Sequence, residues 1–552
     1  MKIPSFGSVC LGLLCALCGT SASTNSESSA PVTGQSSTYS NPIVPGFFPD
    51  PSIVRVGEDY YLVNSTFQYF PAIIISHSRD LVHWEQIGHV FTDSKVLDLS
   101  GFRDGCGVWA PDISYHEGEF YIFYCLVELS PDRKVNVRGN YMVKSKSIHG
   151  PWSKPVRLTD EGNDPSHFVD DDGTHYMLYA AGMPKGTGTK IVKLNKECTK
   201  VVEGPYWMSW GMERGHPEGP HLFKKDGYYY HHMAAGGGWY EGHHQVIARS
   251  RNLYGPYEPS PHNPFIAQLD RNAAVQHQGH AKLVQTPKGD WWAVYLCQRR
   301  TGGRSQLGRE TGLDKVDWHP DGWPVLNGGR GPSVTNTVPD LPQSPVPIPP
   351  PKDDFQTQKL ALRWEFLRNP DHSRFSLTER PGFLRIRTGK SDLDSPTVRN
   401  VILQREVSKN YTAETRLEFA PKDGEEAGLV CMYDGSSFIK FALTGKEGQL
   451  KLLLEECRKK VPKSLAEVSG IKPGPVFLRV TVRDLKRSFS YSHDGKSWIE
   501  AGIVPDAGFL SDEGTAFWGF TGTMVGVYAI DKGSGNSIPA DFDWFSIASD
   551  NP

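Results

Sequence analysis

Five times in the first 300 residues of this 552-residue chain a turn glycine is followed by an aromatic, strand-like run. Seven to nine residues before those glycines (Gly57, Gly118, Gly173, Gly227, Gly289) stand Asp50, Ala110, Asp164, Glu218 and His280. Four of the five are ionisable although their neighbours are largely apolar. If the repeats are arranged around one axis, their equivalent positions gather three carboxylates and an imidazole at one end of a central channel. Carboxylates in that arrangement suit glycoside cleavage by inversion. One ionised carboxylate activates a water and a protonated one donates to the leaving oxygen, roughly 6.5–9.5 Å apart so that the water fits between them. Crowding of like charge raises the pKa of the acid towards the working pH, and a third carboxylate tunes and orients it. Asp50-Pro51, Ala110-Pro111 and Asp164-Pro165 share a dipeptide, and proline pushes the residue before it to extended geometry. A lone Asp-Pro is an ordinary turn starter. Two of them in register with a glutamate across repeats are better read as a site.

The elements that must carry these residues are legible in the repeat. The glycine-led runs are Gly57-Glu-Asp-Tyr-Tyr-Leu-Val, Gly118-Glu-Phe-Tyr-Ile-Phe-Tyr, Gly173-Thr-His-Tyr-Met-Leu-Tyr, Gly227-Tyr-Tyr-Tyr-His-His-Met and Gly289-Asp-Trp-Trp-Ala-Val-Tyr, spaced by 61, 55, 54 and 62 residues. A short β-like run precedes each glycine, so each unit holds a hairpin. Units of this length built from several short strands predict the blades of a propeller, and five units predict five blades. Residues 339–351 are so rich in proline that they cannot lie inside a sheet and read as a semi-rigid linker. Beyond them Phe477-Leu-Arg-Val-Thr-Val482 and Phe489-Ser-Tyr-Ser492 alternate as half-buried strands do, which predicts an antiparallel sandwich. The fold class expected is therefore all-β: a five-bladed β-propeller over 41–338, a linker over 339–352 and a β-sandwich over 353–549.

The first 22 residues are a separate matter. A single early charge, Lys2, precedes the apolar run Val9–Cys18 and the small residues Thr20-Ser21-Ala22, the pattern of a secretory signal peptide. Residues 23–40 read as a Ser/Thr-rich, flexible leader. A secreted, extracellular protein is expected, with no membrane partner once the signal is cleaved, since no later apolar run reaches the length of a membrane span. Fifty-nine basic against 62 acidic residues leave a net charge of −3, which gives no field for nucleic acid. Six cysteines remain after the signal (Cys106, Cys125, Cys198, Cys297, Cys431, Cys457). They are scattered, leaving room for one or two disulfides that the sequence does not assign. The adjacent histidines His243-His244 point to opposite faces if they lie in a strand, which argues against joint ligation of a metal.

Phe48-Pro-Asp-Pro-Ser52, Trp109-Ala-Pro-Asp112, Asn163-Asp-Pro-Ser166, Glu218-Gly-Pro-His221, Gly279-His280 and Leu307-Gly-Arg-Glu-Thr311 occur in this order. Together they resemble glycoside hydrolase family 43, five-bladed propeller enzymes acting on xylan and arabinan. The stretch from Asp353 to Ala540-Asp-Phe-Asp-Trp-Phe545 resembles the concanavalin A-like domain of that family's β-xylosidase and α-L-arabinofuranosidase branch. The resemblance implies Asp50 as general base, Glu218 as general acid and Asp164 as the residue that modulates and orients the acid. It implies Phe67, Trp109, Arg309 and Phe520 as substrate-binding residues, the last on a sandwich segment that reaches the pocket rim. It also implies His280 near an axial metal or water, calcium in some members, although no cofactor is required. The substrate implied is a hemicellulose oligosaccharide or polysaccharide, and the action implied is exo-acting, inverting release of β-D-xylose or α-L-arabinofuranose. Three other readings use the same architecture: a retaining fructan-type hydrolase, an endo-arabinanase and a non-catalytic carbohydrate-binding propeller. Asn163 before Asp164 and Gly219 after Glu218 depart from the fructan pattern, and the presence of all three carboxylates favours catalysis.

Overall fold

The computed structural model describes residues 37–129, 135–183, 186–208, 216–237, 242–517 and 519–550. Among these residues one 3-10 turn at Asn327–Gly329 is the sole helical element. Each glycine-led repeat forms the first hairpin of a four-stranded antiparallel sheet, so the five repeats make five blades, over residues 52–91, 107–159, 163–207, 218–259 and 276–326. The repeat works because side chains alternate across a strand. In blade 1, Tyr60 and Leu62 pack with Trp292 and Val294 of blade 5, whereas Tyr61 and Val63 face the cluster of Phe120 and Ile122 in blade 2. Each aromatic strand thus fills the wedge on both of its sides.

The segment just before blade 1 ties it to the end of blade 5. Thr38–Ser40 pairs with Thr335–Thr337, and the buried Tyr39 donates its hydroxyl to the Leu313 carbonyl at 2.6 Å. Asn41 bonds both backbone groups of Leu313, at 2.8 and 2.9 Å. Thr38–Ser40, expected as the end of a flexible leader, is instead a strand, because Tyr39 has a core to enter. The expected signal peptide, and the leader up to residue 36, lie outside the described residues.

The C-terminal part is a sandwich of two antiparallel sheets. One of them takes a strand from the propeller: Tyr69–Phe70 pairs with Phe366 and Leu367. A buried cluster joins Phe47, Phe67 and Tyr69 of the propeller to Leu367, Val401, Met432 and Phe520 of the sandwich. Ion pairs cross the same interface, Arg368 to Asp104 at 2.6 Å. The proline-rich segment lies against the propeller: Leu341 packs on the core shared by blades 1 and 5, and the Ser344 amide donates to Asp80 at 2.7 Å. All six cysteines are buried thiols, and no disulfide joins the described residues.

Candidate active site

The first strand of each blade lines the axis, and in four blades it carries the same irregularity. The pairing steps from Trp109↔Cys125 to Asp112↔Phe123, from Asn163↔Ala180 to Ser166↔Leu178, from Glu218↔Ala234 to His221↔His232 and from Gly279↔Leu296 to Lys282↔Val294. Each step spans three residues on the inner strand against two on its neighbour. That is a one-residue β-bulge, a device that re-aims side chains next to sites. The bulges place Ala110, Asp164, Gly219 and His280 in one row and Trp109, Asn163, Glu218 and Gly279 in the row before it. Glu218 is therefore not equivalent to Asp164, as equal offsets from the turn glycines suggested. Its row-mate is Asn163, and Gly219-Pro220 is the true counterpart of Asp164-Pro165.

The backbone at this row also departs from expectation. Asp50, Asp164, Gly219 and His280 have φ of 50°, 54°, 56° and 50°, left-handed rather than extended. Proline disfavours the right-handed helical region for the residue before it, and aspartate tolerates the left-handed one better than most residues. The bulge takes up that freedom, at a cost of about 1–3 kcal/mol for each strained residue that the surrounding sheet must offset. At Gly219 a side chain is also excluded by space, because a Cβ there would lie 2.8 Å from the His280 ring.

Both rows deliver into one pocket lined by Asp50, Phe67, Trp109, Asn163, Asp164, Glu218, His280, Arg309 and Phe520. Every residue singled out in the sequence lies here. Asp50 accepts from the Ser65 hydroxyl at 2.6 Å, from Arg309 at 3.4 Å, and stands 3.8 Å from His280 Nδ1. Asp164 accepts the Gly219 amide at 3.0 Å, so it holds the peptide next to Glu218. Phe67, Trp109 and Phe520 form an aromatic triangle with centroids 5.2–6.1 Å apart, and the Arg309 guanidinium lies 4.6 Å from the Phe520 ring. Phe520 comes from the sandwich, and two glycines let it approach. A Cβ at Gly308 would lie 2.3 Å from the Thr521 carbonyl, and one at Gly522 would lie 2.6 Å from the Leu307 carbonyl.

Residues 39–324 match glycosyl hydrolases family 43, and residues 352–548 match the beta xylosidase C-terminal concanavalin A-like domain. The chain belongs to glycosyl hydrolase family 43. It is a glycosidase with a five-bladed propeller and a concanavalin A-like second domain. Among its relatives is the non-reducing end alpha-L-arabinofuranosidase BoGH43B of Bacteroides ovatus, 37% identical over 92% of this chain and 94% of the relative. Another is the xylan 1,3-beta-xylosidase of a Vibrio species, 36% identical over 92% and 98%. Among solved structures, the GH43 protein BlXynB of Bacillus licheniformis is 48% identical with a TM-score of 0.87, over 93% of this chain and 100% of that one.

One member of this family-43 pocket was not legible in the sequence. His243 is buried, and its Nε2 lies 3.2 Å from Glu218 Oε1 while its Nδ1 lies 3.3 Å from the His277 carbonyl. It occupies the space left by Gly279, where a Cβ would fall 2.3 Å from its ring. Because a carbonyl only accepts, Nδ1 carries a proton. A neutral ring then presents a lone pair to Glu218. A hydrogen bond between His243 Nε2 and Glu218 Oε1 therefore needs a proton on one of those two atoms.

The electrostatics divide the carboxylates differently from expectation. Burial raises Asp164 to about 6, opposed by His280 and assisted by the charge of Glu218. Burial also acts upwards on Glu218, but the hydrogen bond and charge of His243, with Arg309 and His280, outweigh it and draw Glu218 down to about 2. The crowding expected to raise the acid thus falls on its neighbour in the empty pocket. The two titrate as a coupled pair whose last proton is held to about pH 6.

The axial donor set does not suit calcium, which takes six to eight oxygens. Behind the pocket, Lys282 donates to Asp112 and to the Ile113 carbonyl, each at 2.5 Å. It meets there the imidazoles of His221 and His232, which burial keeps neutral. An ammonium already supplies the positive charge at this level, and one carboxylate, the Ser52 hydroxyl and the Ile113 carbonyl fall short of a calcium shell.

Proposed function

We propose that this chain is an exported, exo-acting, inverting glycosidase that removes terminal β-D-xylose or α-L-arabinofuranose from xylan-derived chains. The observation that carries the reading is the convergence of three carboxylates and Arg309 in one pocket capped by Phe520. A pocket capped by the second domain accepts a chain end, whereas an endo-acting enzyme needs a groove open at both ends. The names of the Bacteroides ovatus and Vibrio relatives support a pentose at the non-reducing end. The apolar run Val9–Cys18 supports export.

Asp50, oriented by Ser65 and paired with Arg309, takes the proton of the attacking water. Glu218 protonates the leaving oxygen, with its proton drawn from the pool shared with Asp164 and His243. Asp164 fixes the Gly219 peptide and so the start of the strand that carries the acid. Arg309 and the aromatic triangle hold the sugar. Proton NMR of the sugar freshly released from nitrophenyl β-xyloside tests the mechanism: α-xylose appears first if inversion holds, and β-xylose appearing first refutes it. Asp50→Asn and Glu218→Gln are each expected to lose at least 100-fold in kcat/KM on xylobiose. Retention of activity within about tenfold, in a folded variant, would remove that residue from its role. Rates on nitrophenyl β-xyloside and nitrophenyl α-arabinofuranoside decide between the two sugars.

A further inference from the structure

Blade 3 holds a second cluster of chemically capable side chains, away from the pocket. His167 lies on the first strand, Asn163–Val169, His175 begins the second, His175–Met183, and Cys198 sits in the turn after the third, which ends at Leu194. All three are buried, with residue exposures of 8, 3 and 0%. His167 Nε2 is 3.0 Å from His175 Nδ1 and 3.9 Å from Cys198 Sγ. All three donor atoms lie within 4.8 Å of one another.

We propose that His167, His175 and Cys198 form a binding site for one zinc-class cation. Zinc bonds of about 2.05 Å to nitrogen and 2.3 Å to sulfur, at tetrahedral angles, set N–N near 3.3 Å and N–S near 3.6 Å. The two observed separations differ from these by 0.3 Å each, so the donors are already spaced for one ion. The outer support is present as well. Ser114 Oγ lies 2.6 Å from His167 Nδ1, the kind of partner that fixes a ligand's tautomer and ring plane. Phe123 stacks on that ring at 4.7 Å, and the His175 ring lies nearly parallel to it, edge to edge, at a centroid distance of 5.2 Å. Cys198 is held at φ 55°, a strained conformation of the sort that marks functional positions. The half-buried His116 lies edge-on to His175 at 5.2 Å.

The proton count is simple. Binding breaks the ring-to-ring hydrogen bond, moves the His175 proton to Nε2 and releases the thiol proton to solvent, one per cation.

The test uses the full chain after dialysis against chelator. Stoichiometric zinc is expected to bind at one equivalent and raise the Tm. Cobalt(II) in its place should give a thiolate-to-metal charge-transfer band and the strong visible bands of a tetrahedral site. Cys198→Ser and His175→Gln should each abolish the charge-transfer band or weaken binding at least about tenfold. His319→Gln serves as a control, because His262, His319 and Asp321 form a second, more exposed donor group. Absence of the charge-transfer band in the wild-type chain overturns the proposal. So does zinc stabilisation that survives Cys198→Ser but vanishes in His319→Gln.

Discussion

Replacing Asp164 by asparagine keeps the size of the side chain and an oxygen able to accept the Gly219 amide, but removes a carboxylate. In the native pocket the Asp164–Glu218 pair holds its last proton to about pH 6, because Asp164 is buried beside a second negative charge. In the variant Glu218 titrates without a carboxylate neighbour at position 164. It loses a like charge, which can only lower its pKa further, and it keeps His243, Arg309 and His280, which already hold it below the ordinary 4.5. The proton available for the leaving group is therefore lost at a lower pH. At pH 6 a group with pKa 6 is half protonated, whereas one at or below 4.5 is at most about 3% protonated, so activity there should fall about 15-fold or more. The descending limb of kcat/KM against pH should move down by at least about 1.5 units. Xylobiose is the substrate to use, because its leaving sugar needs the proton. Nitrophenyl β-xyloside, whose leaving group departs more readily as an anion, should lose much less. An unchanged descending limb with raised KM, or an equal loss on both substrates, would refute the reasoning and make Asp164 a ligand of the sugar.

Three further outcomes are expected. His243→Leu removes the hydrogen bond and charge that do most to draw Glu218 down, so Glu218 should keep its proton to higher pH and the descending limb of kcat/KM on xylobiose should move up; an unchanged pH profile would make His243 a packing residue. Gly219→Ala places a methyl group against the His280 ring at a left-handed residue, and a folded, fully active variant would show that the bulge is not needed. Phe520→Ala should cost about 3 kcal/mol of stability as a large buried-to-small change and raise KM on xylobiose, read by thermal unfolding and steady-state kinetics; an unaltered KM would separate the sandwich from the pocket.

The five blades were readable because each repeat states its own hairpin: a turn glycine, then aromatics alternating between two wedges. Asp50, Asp164, Glu218 and His280 were readable because ionisable residues are costly to bury without a use, whereas Phe67, Trp109, Arg309 and Phe520 were reached only through the resemblance to family 43. What the sequence concealed was the register. Equal counting from Gly173 and Gly227 put Asp164 and Glu218 in one row, yet the bulge at Asn163–Ser166 and its counterpart at Glu218–His221 show that Glu218 precedes that row by one residue. A bulge leaves no trace in hydropathy, since it adds one residue without changing the apolar pattern on either side. The Gly219-Pro220 dipeptide was the available signal: it matches Asp50-Pro51, Ala110-Pro111 and Asp164-Pro165 in all but the side chain.

That one-residue difference has a chemical consequence. A carboxylate at position 219 would meet the His280 ring, and a side chain at 279 would displace His243. Moving the acid back by one residue, with glycine at both contact points, lets Glu218 meet His243 while Asp164 grips the peptide beside it. His243 itself was hidden by its place next to His244 ahead of a third strand, where no repeat marks it. Phe520 lies more than 200 residues beyond Arg309, although their side chains touch. Both are brought in by long-range packing, which alternation and turn chemistry do not encode. The strained row at Asp50, Asp164, Gly219 and His280 is kept in place by the same packing. The strand Tyr69–Phe70 and the Phe47–Phe67–Phe520 cluster tie the pocket's first blade to the sandwich. The second domain thus supplies a wall of the pocket and bears on the packing that holds the bulged strands in a geometry they would not choose alone.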